Sequence, residues 1–248
     1  MPDGGLGGAG RSLAAMDTTS PTAIVTGASR GLGLELARAL AGRGWRLVID
    51  ARTASELDAA QAELAALSDV TAIAGDVADS WHRAALVEAA GERVDLLVNN
   101  ASTLGVSPLP PLADYPVAEL ETVLRVNVVA PLVLAQVALP RMPAGARILN
   151  ITSDAAVGAY EGWGAYGASK AALEQLSAVL AAEHPELRVY AVDPGDMNTR
   201  MHQDAFPGED ISDRPPPRDS VPGLLALVEG ELPSGRYRAS ELAAVALS

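Results

Sequence analysis

The chain has 248 residues, of which 49% are hydrophobic and 20% are charged, a composition that suits one large α/β domain or two small ones. Its net charge of −13 would repel a phosphate backbone, so we expect no nucleic-acid partner. The absence of cysteine excludes a thiolate nucleophile, a disulfide framework and a cysteine-ligated zinc.

The first 20 residues are rich in glycine and contain no apolar core of signal-peptide length. We interpret residues 1–20 as a flexible leader, and Met16 is an alternative to Met1 as the natural start. The most apolar window, residues 126–139, is interrupted by polar residues and a proline. It is shorter than the roughly 18 uninterrupted apolar residues that a membrane helix needs. We therefore expect a cytoplasmic protein without membrane contact.

From residue 21 onward, short apolar runs of β type alternate with longer amphipathic runs. In the first amphipathic run, apolar residues recur at i, i+4 and i+8 from Leu32, which is typical of a helix. Two long helices are predicted at 117–139, with an interruption near Pro131, and at 163–183. Strands are predicted at 23–26, 46–49, 70–74, 94–98, 147–151 and 187–192.

Continuous apolar strands separated by amphipathic helices predict a parallel sheet that is covered on both faces. We therefore predict an α/β, single-domain Rossmann fold over residues 21–248, with a doubly wound parallel sheet of about six to seven strands and helices on both faces. A TIM barrel would need eight such units. Residues 196–222 are rich in proline and aspartate and long for a connection, which predicts a lid or substrate segment.

A glycine-rich turn, TGASRGLG at residues 26–33, follows the first predicted strand. Glycine lets the backbone turn tightly and approach a pyrophosphate, and the following helix directs free N–H groups and its positive dipole end toward the phosphates. A plain strand-to-helix turn also uses glycine, but the position between the first strand and the first helix favours nucleotide binding. The predicted cofactor contacts in this turn are Gly27, Ser29, Arg30, Gly31, Leu32 and Gly33.

Among the 18 lysine and arginine residues, Lys170 is the single lysine, and it lies four positions after Tyr166. Side chains at i and i+4 of a helix share one face. An ammonium beside a phenol lowers the phenol's pKa, which is ordinarily about 10. Such a tyrosine can give a proton to a carbonyl oxygen or remove one from an alcohol. An ordinary exposed i, i+4 pair is the alternative interpretation.

The segment YGASK at 166–170 resembles the catalytic motif of the short-chain dehydrogenase/reductase family. Ser153, thirteen positions before the tyrosine, matches the family's substrate-binding serine. NNAS at 99–102 is similar to the family's NNAG with serine in place of glycine, and DPG at 193–195 matches its PG motif. The resemblance spans about residues 20–240 and implies a catalytic tetrad of Asn127, Ser153, Tyr166 and Lys170. It also implies cofactor contacts from Asn99, Ala101, Tyr166, Lys170, Pro194, Gly195 and Thr199.

The end of the second strand bears on the choice of nicotinamide cofactor. The resemblance places Ala51 where an NAD-selecting aspartate stands, followed by Arg52 at a position typical of NADP binding. Arg30 is a second candidate for the 2′-phosphate. NADP(H) is therefore the predicted cofactor, and NAD(H) stays possible because a shift of one residue would bring Asp50 to the ribose. Asp76 and Val77 resemble the pair that contacts adenine.

The resemblance implies an oxidoreductase that moves hydride between the nicotinamide and a ketone or secondary alcohol, with Tyr166 as general acid and base. Two alternatives remain: the same tetrad used for imine or enone reduction or epimerisation, and a non-catalytic NADP(H)-binding regulator. The histidines lie far apart in sequence, so no metal site is predicted. The resemblance also implies a homodimer formed through the two long helices, or else a tetramer that adds a second interface. Candidate substrate-pocket residues are Asp154, Tyr160, Trp163, Asp196, Met197, Met201, His202 and Phe206.

Overall fold

The computed structural model describes residues 20–246, with side chains described through residue 242. The predicted leader, except for Ser20, and both possible start methionines lie outside the described residues. Within this part of the chain, the strands form one sheet whose neighbours are all parallel. The strands are β1 (Thr22–Val25), β2 (Arg46–Ala51), β3 (Val70–Ala74), β4 (Leu96–Asn99), β5 (Arg147–Ile151), β6 (Arg188–Asp193) and β7 (Gly235–Arg238).

Helices follow the strands and cover the sheet on both faces. They are α1 (Gly31–Ala41), α2 (Ala54–Leu64), α3 (Ser80–Ala90), α4 (Val117–Leu124), α5 (Ala130–Ala138), α6 (Gly164–Glu183), α7 (Arg200–Ala205), α8 (Val221–Glu229) and α9 (Ala239–Ala246). A π-helical turn occupies Arg125–Val129, and short 3-10 helices occupy Leu112–Asp114, Leu139–Arg141, Asp154–Ala156 and Pro217–Ser220. The predicted α/β, single-domain, doubly wound Rossmann fold is confirmed.

Each face of the sheet buries its own hydrophobic core. On one face, Leu36 of α1 and Leu224 of α8 pack with alternate strand residues such as Val25. On the other face, Leu86 of α3 and Leu134 of α5 belong to the second core. Fully burying such a side chain contributes about 1.5–3 kcal/mol. Strands sandwiched in this way are apolar on both sides, which explains the continuous runs; the polar β7, with sequence GRYR, is the strand that the sequence pattern does not locate.

The first long helix is interrupted at a different place from the predicted one. The π-helical turn at 125–129 separates α4 from α5, whereas Pro131 lies in the first turn of α5, where its missing N–H costs little. Residues 117–141 form a helical stretch whose mean hydropathy of 1.8 and length would also suit a membrane span. In this structure the stretch packs against α3 and α6, as the core helix of a globular domain does.

The sheet order β3-β2-β1-β4-β5-β6-β7 places a crevice above the centre of the sheet. Chain order runs outward in both directions from β1 and β4, so the connections leaving their carboxyl ends go to opposite faces. Ligands of doubly wound folds bind at such a switch point. The glycine-rich turn follows β1 and the NNAS segment ends β4, so both lie at this crevice.

Candidate active site

A cavity of about 740 Å³ opens at the carboxyl ends of the strands. Of the predicted site residues in the described part of the chain, three do not line it: Gly33, Asn99 and Asn127. The predicted residues that line it are Gly27, Ser29, Arg30, Gly31, Leu32, Arg52, Asp76, Val77, Ala101, Ser153, Tyr166, Lys170, Pro194, Gly195 and Thr199. Motifs that are up to about 170 positions apart in the sequence therefore share one cavity.

The glycine-rich turn adopts the geometry that glycine permits. Gly27 and Gly31 have φ angles of 66° and 57°, in the left-handed region. A Cβ on Gly33 would lie 2.4 Å from the carbonyl oxygen of Gly27, so only glycine allows α1 to pack this closely on the turn. Among the described residues, no side chain caps the first turn of α1, whose N–H groups remain available. This cradle fits a pyrophosphate.

Asp50 near the end of β2 is hydrogen-bonded to the glycine-rich turn. Its carboxylate is 1% exposed and accepts a hydrogen bond of 2.7 Å from the backbone N–H of Gly27. The other carboxylate oxygen lies 2.9 Å from Nε2 of His82 on α3. A Cβ on Gly75 would clash with the His82 ring, so a larger residue there would displace this histidine from Asp50. Both oxygens of Asp50 are thus engaged by the protein.

Charged side chains surround the end of the cavity near Arg52. Arg30 Nη1 lies 2.5 Å from Oε2 of Glu56 on α2, and Arg200 Nη1 on α7 lies 3.4 Å from Oε1 of the same carboxylate. Arg52 is exposed, and within the described residues it forms no salt bridge. The sequence analysis did not identify Glu56 or Arg200, because nothing in the local pattern shows that α2 and α7 meet here.

Tyr166 and Lys170 lie side by side on α6, with exposures of 9% and 2%. Lys170 Nζ donates to the carbonyl oxygen of Ile151 at 2.7 Å and lies 5.4 Å from the centre of the Tyr166 ring. Burial lowers the pKa of Lys170 to about 7. Burial also raises the pKa of Tyr166 above its ordinary value, opposed by hydrogen bonds from Ser102 and Ser153.

The expectation that the lysine lowers the tyrosine's pKa is therefore wrong for the protein alone. The charges of Asp193 and Asp154 add to the effect of burial on the pKa of Tyr166. An ammonium with a pKa near 7 is only partly charged at neutral pH, so its attraction for a phenolate is reduced. The two side chains do lie together as the motif predicts.

Asn127 lies in the π-helical turn, 1% exposed, behind the cavity wall. Its Nδ2 donates to the carbonyl oxygen of Thr103 at 2.9 Å and to Ser169 Oγ at 3.0 Å. Its Oδ1 accepts from the N–H of Thr103 at 2.9 Å and from Ser102 Oγ at 3.1 Å. From the π-helical turn, Asn127 thus links the segment after β4 to α6 by hydrogen bonds. Asn99 also acts inside the sheet, where it donates to Asn150 Oδ1.

Ser153 lies two residues after the end of β5 and lines the cavity. Its hydroxyl accepts from the N–H of Ala155 at 3.1 Å and donates to Asp154 Oδ1 at 3.0 Å. The hydroxyl of Tyr160 donates to Asp154 Oδ2 at 2.9 Å. Arg236 of β7 donates to the carbonyl oxygen of Ser153 at 3.3 Å and so links this strand end to β7.

An apolar wall faces Ser153 and Tyr166. Trp163 packs edge-on against Tyr166, with ring centres 5.6 Å apart, and it lies 6.0 Å from Phe206. Phe206 directly follows α7, in the predicted lid segment 196–222, which borders the cavity. Met197, Met201, His202 and Asp196 of the same segment also line it. Among the described residues, no group of three or more histidines and acidic residues could hold a metal ion.

Comparisons with known proteins agree with this geometry. The family model described as short chain dehydrogenase matches residues 21–210. The rhamnolipids biosynthesis 3-oxoacyl-[acyl-carrier-protein] reductase of Pseudomonas aeruginosa is 36% identical over 239 residues, covering 91% of this chain and 87% of the relative. A short chain dehydrogenase structure from Pseudomonas syringae has a TM-score of 0.81 at 31% identity, covering 88% of this chain and 94% of that one. A short chain dehydrogenase from Shigella flexneri complexed with NADP has a TM-score of 0.80 at 27% identity, covering 89% and 97%.

Proposed function

The chain belongs to the short-chain dehydrogenase family, and on that premise we propose that it is an NADP(H)-dependent carbonyl reductase or alcohol dehydrogenase. It transfers hydride between the nicotinamide and a ketone or secondary alcohol, with Tyr166 as general acid and base. The observation that carries this proposal is the buried Tyr166–Lys170 pair, which faces the same cavity as Ser153 and the glycine-rich turn.

The residues around the cavity fit a dinucleotide phosphate. The N–H groups at the start of α1 bind the pyrophosphate, and Arg30 and Arg52 bind the 2′-phosphate through charge-assisted hydrogen bonds. Asp76 and Val77 contact the adenine, and Ala101, Pro194, Gly195 and Thr199 lie along the rest of the cofactor's path. The Shigella flexneri relative, which is complexed with NADP, supports this choice. When bound, the nicotinamide donates or accepts the hydride.

The protein's own residues bind the reacting oxygen and exchange its proton. Ser153 turns its hydroxyl from Asp154 to the substrate oxygen and holds it near Tyr166. In reduction Tyr166 gives its proton to that oxygen, and in alcohol oxidation it removes the proton. A phenolate next to Lys170 favours the charged ammonium, so the lysine stabilises the deprotonated tyrosine when it forms. Asn127 keeps this arrangement fixed from behind.

The substrate side of the cavity favours a small or medium-sized ketone with an apolar body. Trp163, Met201 and Phe206 provide the apolar surface, and Asp154 and Asp196 are the polar groups at its border. Two carboxylates at this border disfavour an anionic group on the substrate. The bound molecule is thus a neutral or cationic small molecule.

The second partner that we propose is another copy of this chain. Apolar side chains on the two long helices are exposed: Val129 is 46% exposed, Val137 38% and Val179 41%. Val129 and Val137 are eight residues apart and therefore on one face of the helix. A homodimer that pairs these helices would bury all three, and a tetramer would add a second interface. We also propose that the enzyme is cytoplasmic.

A panel of ketones, secondary alcohols, enones and imines, followed by the absorbance of NADPH, tests the reaction class. We expect turnover of ketones with NADPH and of secondary alcohols with NADP. Turnover of only enones or imines would assign the tetrad to that other chemistry. NADPH binding without any turnover would indicate a non-catalytic regulator and contradict the proposal.

A further inference from the structure

Ser102 stands where the family's NNAG motif has glycine, and its hydroxyl contacts Asn127. It directly follows Ala101 beyond the end of β4 and lines the cavity. Its Oγ donates to Asn127 Oδ1 at 3.1 Å, and it lines the same cavity as Tyr166, where its hydroxyl lowers the pKa of the phenol. The side chain that glycine lacks therefore binds one proposed member of the tetrad and lies in the same cavity as another.

Asn127 does not depend on the proton that Ser102 gives it. The N–H of Thr103 donates to the same Oδ1 at 2.9 Å, so this oxygen keeps a partner when the serine hydroxyl rotates away. A serine hydroxyl has one proton and can rotate to suit its acceptor. Ser102 can accept from a neutral Tyr166 while donating to Asn127, and it can turn to donate to a phenolate.

A donor at this position has a specific use in this cavity. Burial raises the pKa of Tyr166, and the same burial lowers that of Lys170 to about 7, so the lysine is only partly charged at neutral pH. Lys170 also donates to the carbonyl oxygen of Ile151. A hydrogen bond to an anion is about twice as strong as the neutral bond that Ser102 would give up at Asn127.

We propose that Ser102 is a positioning residue for the acid–base step, whose hydroxyl rotates from Asn127 to the Tyr166 oxygen and stabilises the phenolate. The proposal rests on the proposed function of Tyr166. The step balances without a further reactant: Tyr166 gains the alcohol's proton in oxidation and gives it up in reduction, while Ser102 keeps its own proton. Glycine or alanine at position 102 would leave the phenolate without this donor.

The pH dependence of kcat in Ser102→Ala tests this role. Alcohol oxidation needs the phenolate, so without the donor the rise of kcat with pH should move up by about one pH unit, and kcat at pH 7 should fall about tenfold. Ketone reduction needs the neutral phenol, so its decline at high pH should also move upward. Ser102→Thr, which keeps a hydroxyl, should restore the wild-type profile. Ser80→Ala removes an exposed hydroxyl outside the cavity and should change the pH dependence of neither alcohol oxidation nor ketone reduction.

A second readout does not depend on turnover. In protein labelled with carbon-13 at tyrosine Cζ, the Tyr166 resonance is identified by its loss in Tyr166→Phe, and its shift reports hydrogen bonding at the phenol oxygen. We expect Ser102→Ala to move this resonance alone and Ser102→Thr to return it. An unmoved resonance, or ketone turnover with an unmoved pH profile in a folded Ser102→Ala, would overturn the role of Ser102. A moved resonance in a wild type that turns over no substrate would instead refute the proposed function.

Discussion

At the scale of single residues, replacing Lys170 tests whether this position needs only a positive charge or the specific shape of lysine. Arginine stands at every other basic position of this chain, so a need for charge alone would be met by arginine. Lys170 is 2% exposed and donates to the carbonyl oxygen of Ile151, so a larger, planar guanidinium would have to enter a buried position. We expect Lys170→Arg to lose at least ~100-fold in kcat, or about 2.7 kcal/mol of transition-state stabilisation. A variant that is folded by circular dichroism and within threefold of wild type would contradict this.

Burial of the same lysine predicts a pH dependence of stability. The pKa of Lys170 is lowered from 10.5 in the unfolded chain to about 7 in the fold, so between these values the unfolded chain binds more protons. Burial of Lys170 therefore lowers the free energy of unfolding by its full amount below pH 7, and this loss becomes smaller as the pH rises. Lys170→Met removes the group, so its gain in melting temperature over wild type should be largest near pH 6 and smaller at pH 9. A gain that grows with pH would contradict the burial of an ionisable amine.

The sequence revealed the residues that we propose as catalytic more readily than the contacts that surround the cavity. Tyr166 and Lys170 are four positions apart on one helix, so local spacing reveals the pair. Asp50 and His82 are 32 positions apart, and their contact exists only because β2 and α3 are adjacent in the fold. Glu56 meets Arg200 across 144 positions, for which a single sequence carries no signal. The high pKa of Tyr166 likewise follows from burial, which no motif shows.

At the scale of elements, the connection between β1 and α1 is held in place by a residue of the neighbouring strand β2. Asp50 at the end of β2 accepts a hydrogen bond from the N–H of Gly27, and we propose that it shapes the turn rather than selecting the cofactor. We expect Asp50→Ala to lower the melting temperature, because the loss of a buried hydrogen-bond partner costs about 1–3 kcal/mol. It should weaken NADPH and NADH binding by a similar factor in fluorescence titrations.

Arg52→Asp is the matched variant for this comparison, since it changes the next charged position on the same strand end. It should remove a preference of at least ~10-fold for NADPH, about 1.4 kcal/mol, and leave the melting temperature nearly unchanged. Loss of NADH binding alone in Asp50→Ala would show that the aspartate reaches the ribose after all. Equal binding of NADPH and NADH by the wild type would contradict the role of Arg52.

The interruption between α4 and α5 is a feature that the sequence predicted at the wrong place. Proline is a visible signal, so the sequence predicted an interruption near Pro131. The structure has it at 125–129, where a π-helical turn lets Asn127 reach Thr103 and Ser169. Those partners belong to other elements, so the position of the turn is set by tertiary contacts that the helix's own sequence does not contain.

At the scale of the whole molecule, the exposed valines of the π-helical turn, α5 and α6 predict a dimer. Val129→Arg and Val179→Arg place a charge in the proposed interface and should shift light scattering from dimer toward monomer at micromolar concentration. Val157→Arg is the matched control, because Val157 is 65% exposed and lies outside both helices, and it should leave the mass unchanged. A monomeric wild type, or a stable dimer in both interface variants, would refute the shared helix interface.

The central claim is that this fold brings Tyr166 to a reacting oxygen while the cofactor exchanges hydride with the neighbouring carbon. The direct measurement is the rate at which deuterium passes from NADPH dideuterated at C4 to the carbonyl carbon of a ketone, in wild type and in Tyr166→Phe. We predict transfer by the wild type and a loss of ~10²–10⁴-fold in the variant, the usual contribution of a general acid, with NADPH binding retained. Equal transfer rates in the two proteins, or product without deuterium at carbon, would contradict the account.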